Sequence, residues 1–118
     1  MRERTAPTAG RRITRQLGAS SVKDLVTILA TLRRLEPELK RRYPLRQIGV
    51  FGSYARGEQR PNSDLDIIVD LEPGLTLIDL ARLEGELSER LDLPVELAIK
   101  DALKPRIEKR ILAEAIML

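Results

Sequence analysis

Two aspartates separated by one residue mark the stretch of this chain best suited to do chemistry. If Asp64-Leu65-Asp66 lies on a β-strand, both carboxylates point to one face, because strand side chains alternate with period two. Two strand residues span roughly 6.6 Å, so inward-flexed carboxylates can hold one or two divalent cations. The alternative interpretation is surface polarity at a strand start, which is the commoner reason for an isolated Asp-x-Asp.

The residues that follow determine which face of the strand the two aspartates occupy. The opposite face of the same predicted strand is an apolar row that we expect in the core, formed by Leu65, Ile67, Val69 and Leu71. Asp64 and Asp66 then lie on the other face beside Ile68. Two like charges beside an apolar residue cost stability unless a cation or hydrogen-bond donors offset them.

A second signal is the pair Gly52-Ser53, which directly follows a predicted strand and opens a predicted helical turn. Backbone N–H groups and the Ser hydroxyl at such a turn form a cup for an anion, and Gly admits a phosphate where a Cβ would intrude. An isolated Gly-Ser is otherwise a simple helix N-cap. Because the cup and the acid pair belong to consecutive strands, a triphosphate and Mg²⁺ could share one pocket.

Composition narrows the chemistry that is available. The chain has 118 residues and contains neither His nor Cys, which excludes His-based acid–base catalysis, disulfides and thiolate metal sites. Hard cations with oxygen ligands remain, namely Mg²⁺, Mn²⁺ or Ca²⁺. The length fits a single domain with its own core.

The net charge of +3 comes from the N-terminal end, since residues 1–19 hold five Arg and one acid. We predict a disordered basic extension over 1–19 and one domain over 20–118. The near-neutral domain, with few aromatics, predicts no direct nucleic-acid binding. An apolar run of about 18 residues and a secretory signal are both missing, which predicts no membrane span and a cytoplasmic protein.

The elements that must position these residues follow from hydrophobic periodicity and turn residues. We predict three longer helices: one from Ser20-Ser21 to Tyr43, which Pro37 ends or kinks, one over Leu77–Leu91, and one over 104–117 with Pro105 at its first position. We predict strands over Leu45–Phe51, 64–71 and 94–99. A short helical segment is predicted within 52–57. This order predicts an α/β fold, with helices packed on one sheet.

The motif as a whole resembles that of a known family. The run Phe51-Gly52-Ser53-Tyr54-Ala55-Arg56-Gly57-Glu58, followed by Ser63-Asp64-Leu65-Asp66, resembles the Gly-Ser-x10-Asp-x-Asp signature of the DNA polymerase beta-like nucleotidyltransferases. Its small size and its Phe-Gly-Ser-Tyr-Ala-Arg-Gly phrase are similar to the minimal nucleotidyltransferases of prokaryotes. The resemblance covers about residues 22–116, and it implies a small mixed sheet of three to four strands.

The resemblance also implies roles for particular residues. The family transfers a nucleoside monophosphate from a triphosphate such as ATP, using two Mg²⁺ ions or Mn²⁺. Gly52 and Ser53 would hold the β- and γ-phosphates, and Asp64 and Asp66 would bind the metals. The family's third carboxylate, usually Asp, matches Glu96, the one acid within an apolar predicted strand. Glu96 otherwise faces solvent through strand alternation.

Two nearby residues have simpler interpretations. Arg56 either reaches the phosphates or a partner's acid, or it braces the loop by pairing with Glu58 or Asp70. Tyr54 is predicted to be a packing residue.

The acceptor of the nucleotide is implied by the resemblance alone. Minimal nucleotidyltransferases are typically antitoxins paired with a HEPN-domain toxin, and the implied reaction is AMP transfer to a tyrosine of that ribonuclease. One alternative is a catalytically weak antitoxin that neutralises its partner by binding, which Glu96 in place of Asp favours. Another is an antibiotic or metabolite transferase, but that function needs a substrate-binding domain for which this length leaves no room.

Overall fold

The computed structural model of the protein describes residues 24–118. This part of the chain forms α1 (Leu25–Arg42), β1 (Leu45–Phe51), α2 (Ser53–Arg56), β2 (Leu65–Leu71), α3 (Leu77–Leu91), β3 (Val95–Ile99), a 3-10 turn (Lys100–Ala102), α4 (Pro105–Glu114) and β4 (Ile116–Met117). The predicted extension over 1–19 and the predicted helix start at Ser20-Ser21 lie outside the described residues. None of the helices within 24–118 combines the length and apolar character needed to cross a membrane.

The strands form one mixed sheet in the order β3-β2-β1-β4. β1 pairs antiparallel with both β2 and β4, whereas β2 pairs parallel with β3. The parallel pair is joined by a crossover through α3, as parallel strands require. The predicted α/β fold with a small mixed sheet is confirmed.

The core lies on one face of the sheet, under α1 and α3. The predicted apolar row of β2 is buried there, and its neighbours are Ile48 and Val50 of β1, Leu32 and Leu39 of α1, and Leu83, Leu87 and Leu91 of α3. At the first position of α3, Leu77 is 84% exposed although it is apolar. The apolar stripe of this helix is therefore fully buried only from Leu83 onward.

Helix α1 runs through Pro37 to Arg42. Of the two effects predicted for this proline, an end of the helix is therefore wrong, whereas the predicted continuation of the helix toward Tyr43 is confirmed. Proline lacks the N–H that would bond to the preceding turn, so the helix loses one hydrogen bond. Leu35 and Leu39, on either side of Pro37, are both buried, and their packing holds this part of the chain helical. The N-cap is Asp24, whose Oδ1 accepts a 2.8 Å hydrogen bond from the Thr27 N–H.

The predicted last helix over 104–117 is too long. It ends at Glu114, and Ile116–Met117 instead forms β4 on the outer edge of β1. The reason is tertiary: β1 has an open edge, and pairing there satisfies backbone groups, including a 3.0 Å bond from the Leu118 N–H to the Ile48 carbonyl. Gly49 permits this approach, since a Cβ at that position would lie 2.9 Å from the Ile116 carbonyl oxygen.

The opposite edge of the sheet is covered by side chains of α3. The Val95 N–H donates to Ser88 Oγ and the Leu97 N–H donates to Glu84 Oε2, both at 3.0 Å. Two outward N–H groups of β3 are thus satisfied within the chain, which limits pairing of this edge with another strand.

Candidate active site

Gly52 connects β1 to α2 in a backbone conformation that glycine favours. Its φ is 77° and its ψ is −154°, a region that side chains rarely tolerate. The Asp66 carboxylate packs directly against this glycine: an added Cβ would collide with Asp66 Oδ2 and lie 3.0 Å from Asp66 Cγ. The predicted cup and the predicted acid pair are therefore in direct contact.

Asp66 occupies the middle of the site. It lies on β2 between Phe51 of β1 and Glu96 of β3, which are its partners in the two strand registers. Burial, followed by the charge of Glu96 and a hydrogen bond with it, raises the pKa of Asp66 to about 6. These two acids, which the resemblance assigns to one metal site, lie side by side on neighbouring strands although 30 positions separate them.

Asp64 lies just outside the strand rather than on it, because β2 begins at Leu65. It is exposed, yet its charge contributes to raising the pKa values of both Asp66 and Tyr54. Tyr54 is 3% exposed, so its predicted packing role is confirmed.

The carboxylates match the chemistry of a hard divalent cation. Asp64, Asp66 and Glu96 offer only oxygen donors, which Mg²⁺ and Mn²⁺ prefer. Burial, and after it the negative charges of Glu96 and Asp64, raises the pKa of Asp66, and a bound cation would favour the ionised carboxylate. Within residues 24–118, no three acidic side chains converge closely enough to form a ready-made metal site. The three-ligand set thus remains a prediction.

Arg56 adds positive charge beside the cup. Its Nε donates to Glu58 Oε1 at 2.9 Å, which confirms one of the two loop partners considered. The other was wrong, because Asp70 pairs with Arg46 at 3.3 Å. In register, Asp70 lies four residues beyond Asp66, toward the far end of β2.

Sequence reasoning missed Glu114, the last residue of α4. The Gly52 N–H donates to Glu114 Oε2 at 2.7 Å, and Arg56 Nη1 lies 3.2 Å from both carboxylate oxygens. No local signal in the sequence could have identified it, since 62 positions separate Glu114 from Gly52.

Two clefts share Phe51 and Asp66. One, of about 480 Å³, has cationic and backbone donors and is lined by Gly52, Arg56, Arg110 and Glu114, with Ile107 and Ile111. The other, also about 480 Å³, is largely apolar apart from its acids and is lined by Glu96, Leu97, Ala98, Ile99, Ala102 and Leu103. Asp66 therefore faces a cleft suited to an anion and a cleft suited to an uncharged group.

Comparison with known proteins agrees with this geometry. The family described as nucleotidyltransferase domain matches residues 32–118. The chain is 40% identical over 96 residues to the protein adenylyltransferase MntA of Thermococcus cleftensis, a match covering 81% of this chain and 94% of that protein.

Solved structures show the same fold. A candidate minimal nucleotidyltransferase superposes with a TM-score of 0.72 at 40% identity, covering 81% of this chain and 97% of that one. A toxin–antitoxin complex with AMP-PNP superposes with a TM-score of 0.59 at 28% identity, covering 78% of this chain and 69% of that one. With the family match spanning most of its length, and with Gly52, Asp66 and Glu96 gathered at one end of the sheet, the chain belongs to the nucleotidyltransferases and is an enzyme of that family.

Proposed function

We propose that this enzyme transfers AMP from ATP to a tyrosine hydroxyl of a HEPN-domain ribonuclease toxin and acts as its antitoxin. The observation that carries the proposal is the position of Asp66, which contacts Gly52 on one side and Glu96 on the other. The names of its relatives, a protein adenylyltransferase and a toxin–antitoxin complex with AMP-PNP, support a protein as the acceptor and a toxin as the partner.

Different residues would bind the phosphates and the metal ions. Gly52, Ser53 and Arg56 would bind the phosphates, because backbone N–H groups and a guanidinium are the donors that phosphate oxygens accept. Asp64, Asp66 and Glu96 would hold Mg²⁺ or Mn²⁺. When bound, such ions neutralise charge on the triphosphate and favour in-line displacement at phosphorus.

Glu96 has a second role in this proposal. The acceptor oxygen forms a bond to the α-phosphorus, the bond from that phosphorus to the bridging oxygen breaks, and pyrophosphate leaves. Glu96 lies beside the apolar cleft, where an aromatic ring would fit, and it would take the proton from the attacking hydroxyl.

A second candidate function is neutralisation by binding alone. It is favoured by Glu96, which is longer than the usual Asp, since Mg²⁺ demands near-ideal ligand geometry. Both candidates predict a complex with the toxin, and only the first predicts covalent labelling of it.

Incubation with radiolabelled ATP, Mg²⁺ and the partner toxin separates the two. We expect label transfer by the wild type and none by the double variant Asp64→Asn/Asp66→Asn. Mg²⁺ with ATP should raise the melting temperature of the wild type but not that of the double variant, because a ligand of the native state stabilises it. Asp70→Asn is the matched control on the same strand and should behave like the wild type. Equal thermal shifts in all three proteins would contradict the metal site.

Glu96→Gln tests the third carboxylate in the same assay. The rate should fall by at least about a hundredfold while binding to the toxin is retained. Equal rates for the variant and the wild type would remove Glu96 from the mechanism. A wild type that binds and neutralises the toxin without label transfer would establish the binding function instead.

A further inference from the structure

A carboxylate of the chain itself occupies the donors assigned to the nucleotide. Glu114 Oε2 accepts the Gly52 N–H at 2.7 Å, and both of its oxygens lie 3.2 Å from Arg56 Nη1. The donors come from two positions of the β1–α2 segment, whereas the acceptor comes from the end of α4. An anion therefore already lies where the proposed function requires a phosphate oxygen.

The two anions compete for the same groups. The Gly52 amide has one hydrogen, which cannot be donated at full strength to Glu114 and to a phosphate at once. Glu114 also lines the cleft that contains Gly52 and Arg56, so its negative charge opposes a triphosphate there. A cation held by Asp66 would neutralise the charge of Asp66 but not that of Glu114. Glu114 binds the Gly52 N–H and the Arg56 guanidinium, which are the groups that would attract a phosphate.

We infer that Glu114 is an internal competitor for the triphosphate, and that ATP enters the cleft by displacing this carboxylate from Gly52 and Arg56. The inference rests on the proposed function, because it takes the cleft as the triphosphate site. Glu114 thereby sets how tightly the enzyme holds its nucleotide.

The position of Glu114 allows such a displacement. Its side chain is 30% exposed, and α4 contains no fully buried residue. The neighbouring Ala115 leads directly into β4, which is held by the edge of β1. The carboxylate can leave by side-chain rotation while β4 stays paired with β1. Nucleotide binding would then change the surroundings of the Glu114 side chain at the end of α4.

The test is calorimetric titration of Mg²⁺-ATP, and of inorganic tripolyphosphate, into the wild type, Glu114→Gln, Glu114→Ala and Glu108→Gln. Glu108 is a matched control: it is on the same helix, its side chain is 28% exposed, and it pairs with Lys100 at 3.2 Å. Both Gln variants remove one negative charge from α4, but only Glu114→Gln removes it from the cup.

We expect both Glu114 variants to bind Mg²⁺-ATP and tripolyphosphate at least about fivefold more tightly than the wild type, the scale of the net contribution of one hydrogen bond. Glu108→Gln should match the wild type. Equal or weaker binding by the Glu114 variants would overturn the inference, and an equal gain in Glu108→Gln would reduce it to a general charge effect and overturn it too.

The outcome is separable from that of the proposed function. Label transfer by a wild type whose Glu114 variants bind no more tightly would leave the function standing and end this inference. Tighter binding by the variants without any label transfer would support the inference and remove the enzymatic role. ATP binding by none of the proteins would overturn both.

A measurement on the wild type guards against variants that fail to fold. The ¹³Cδ resonance of Glu114 and the amide resonance of Gly52 are followed during titration with Mg²⁺-ATP. Both should shift in parallel and saturate together as the carboxylate is displaced. A Gly52 amide that shifts while Glu114 stays constant would show that the nucleotide binds without displacing it.

Discussion

Gly52 is the residue at which two structural demands meet. It has a positive φ of 77°, and the carboxylate of Asp66 lies against its Cα. Either demand alone disfavours a side chain, and together they leave room only for hydrogen. The glycine thus brings the backbone N–H of the cup beside the central acid of the site.

Gly52→Ala should therefore destabilise the protein by about 2–3 kcal/mol, combining backbone strain with the displacement of Asp66. Gly57→Ala is the matched control: Gly57 has a similar φ of 73°, but among the described residues no atom lies within 4 Å of its added Cβ. The control should lose about 1 kcal/mol. Denaturant unfolding measures both, and equal losses would show that contact with Asp66 contributes nothing.

Asp66 gives the site a pH dependence. Burial and Glu96 raise its pKa to about 6 from an ordinary 3.8, so the folded chain binds its proton more tightly than the unfolded chain does. Proton binding by Asp66 therefore adds to the free energy of unfolding. This contribution is fully present below pH 3.8, the ordinary pKa, and is lost as the pH rises through about 6.

In the presence of a chelator, Asp66→Asn should melt at a higher temperature than the wild type at pH about 7, and the difference should shrink toward pH about 4. Comparing the two proteins cancels the contributions of the other carboxylates. A difference in melting temperature that does not change with pH would show that Asp66 has an ordinary pKa.

At the scale of elements, α3 both packs on the sheet and closes its edge. Leu83, Leu87 and Leu91 face the core, while Glu84 and Ser88 accept the N–H groups of Leu97 and Val95. The two polar side chains lie one helical turn apart, which matches the spacing of alternate N–H groups along β3. The same helix face thus fixes the strand that carries Glu96.

Glu84→Ala and Ser88→Ala should each lower the free energy of unfolding by about 1–2 kcal/mol, since each leaves a partly buried N–H without its partner. Amide hydrogen exchange at Leu97 should become faster in Glu84→Ala. Glu89→Ala, at an exposed position of the same helix, should be nearly neutral. Unchanged exchange at Leu97 would show that the contact does not protect the edge.

At the scale of the whole molecule, the site is assembled at one end of the sheet by distant parts of the chain. Gly52 and Arg56 follow β1, Asp66 lies near the start of β2, and Glu96 lies beside it on β3. Glu114 arrives from the last helix. The matched family spans residues 32–118, which include all of these groups.

Residues 1–19 lie outside the described part of the chain and before the matched region. They hold five Arg and one acid without apolar periodicity, so we expect no contribution to the core. A chain that begins at Ser20 should keep the melting temperature and the AMP-transfer rate of the full chain. Loss of transfer at an unchanged melting temperature would make this segment a functional arm.

Local patterns in the sequence were sufficient to predict most elements and to select the residues that meet at the candidate site. Period-two alternation identified the buried face of β2, turn residues bounded β1, and the Gly-Ser and Asp-x-Asp spacing led to the cup and the acids. These features depend on neighbours a few residues apart, so they are readable without the fold. Glu96 was noticeable as the one acid within an apolar predicted strand, but only the family resemblance gave it a role with Asp64 and Asp66, because spacing along the chain does not show which strands pair.

Tertiary contacts decided the rest. Pro37 stays helical because Leu35 and Leu39 are buried beside it, and Ile116–Met117 becomes a strand because β1 offers an open edge. Arg56 and Glu114 meet because α4 ends over the cup. Each outcome depends on groups that are distant along the chain, where local propensity is outweighed by packing and by hydrogen bonds that only the folded sheet makes available.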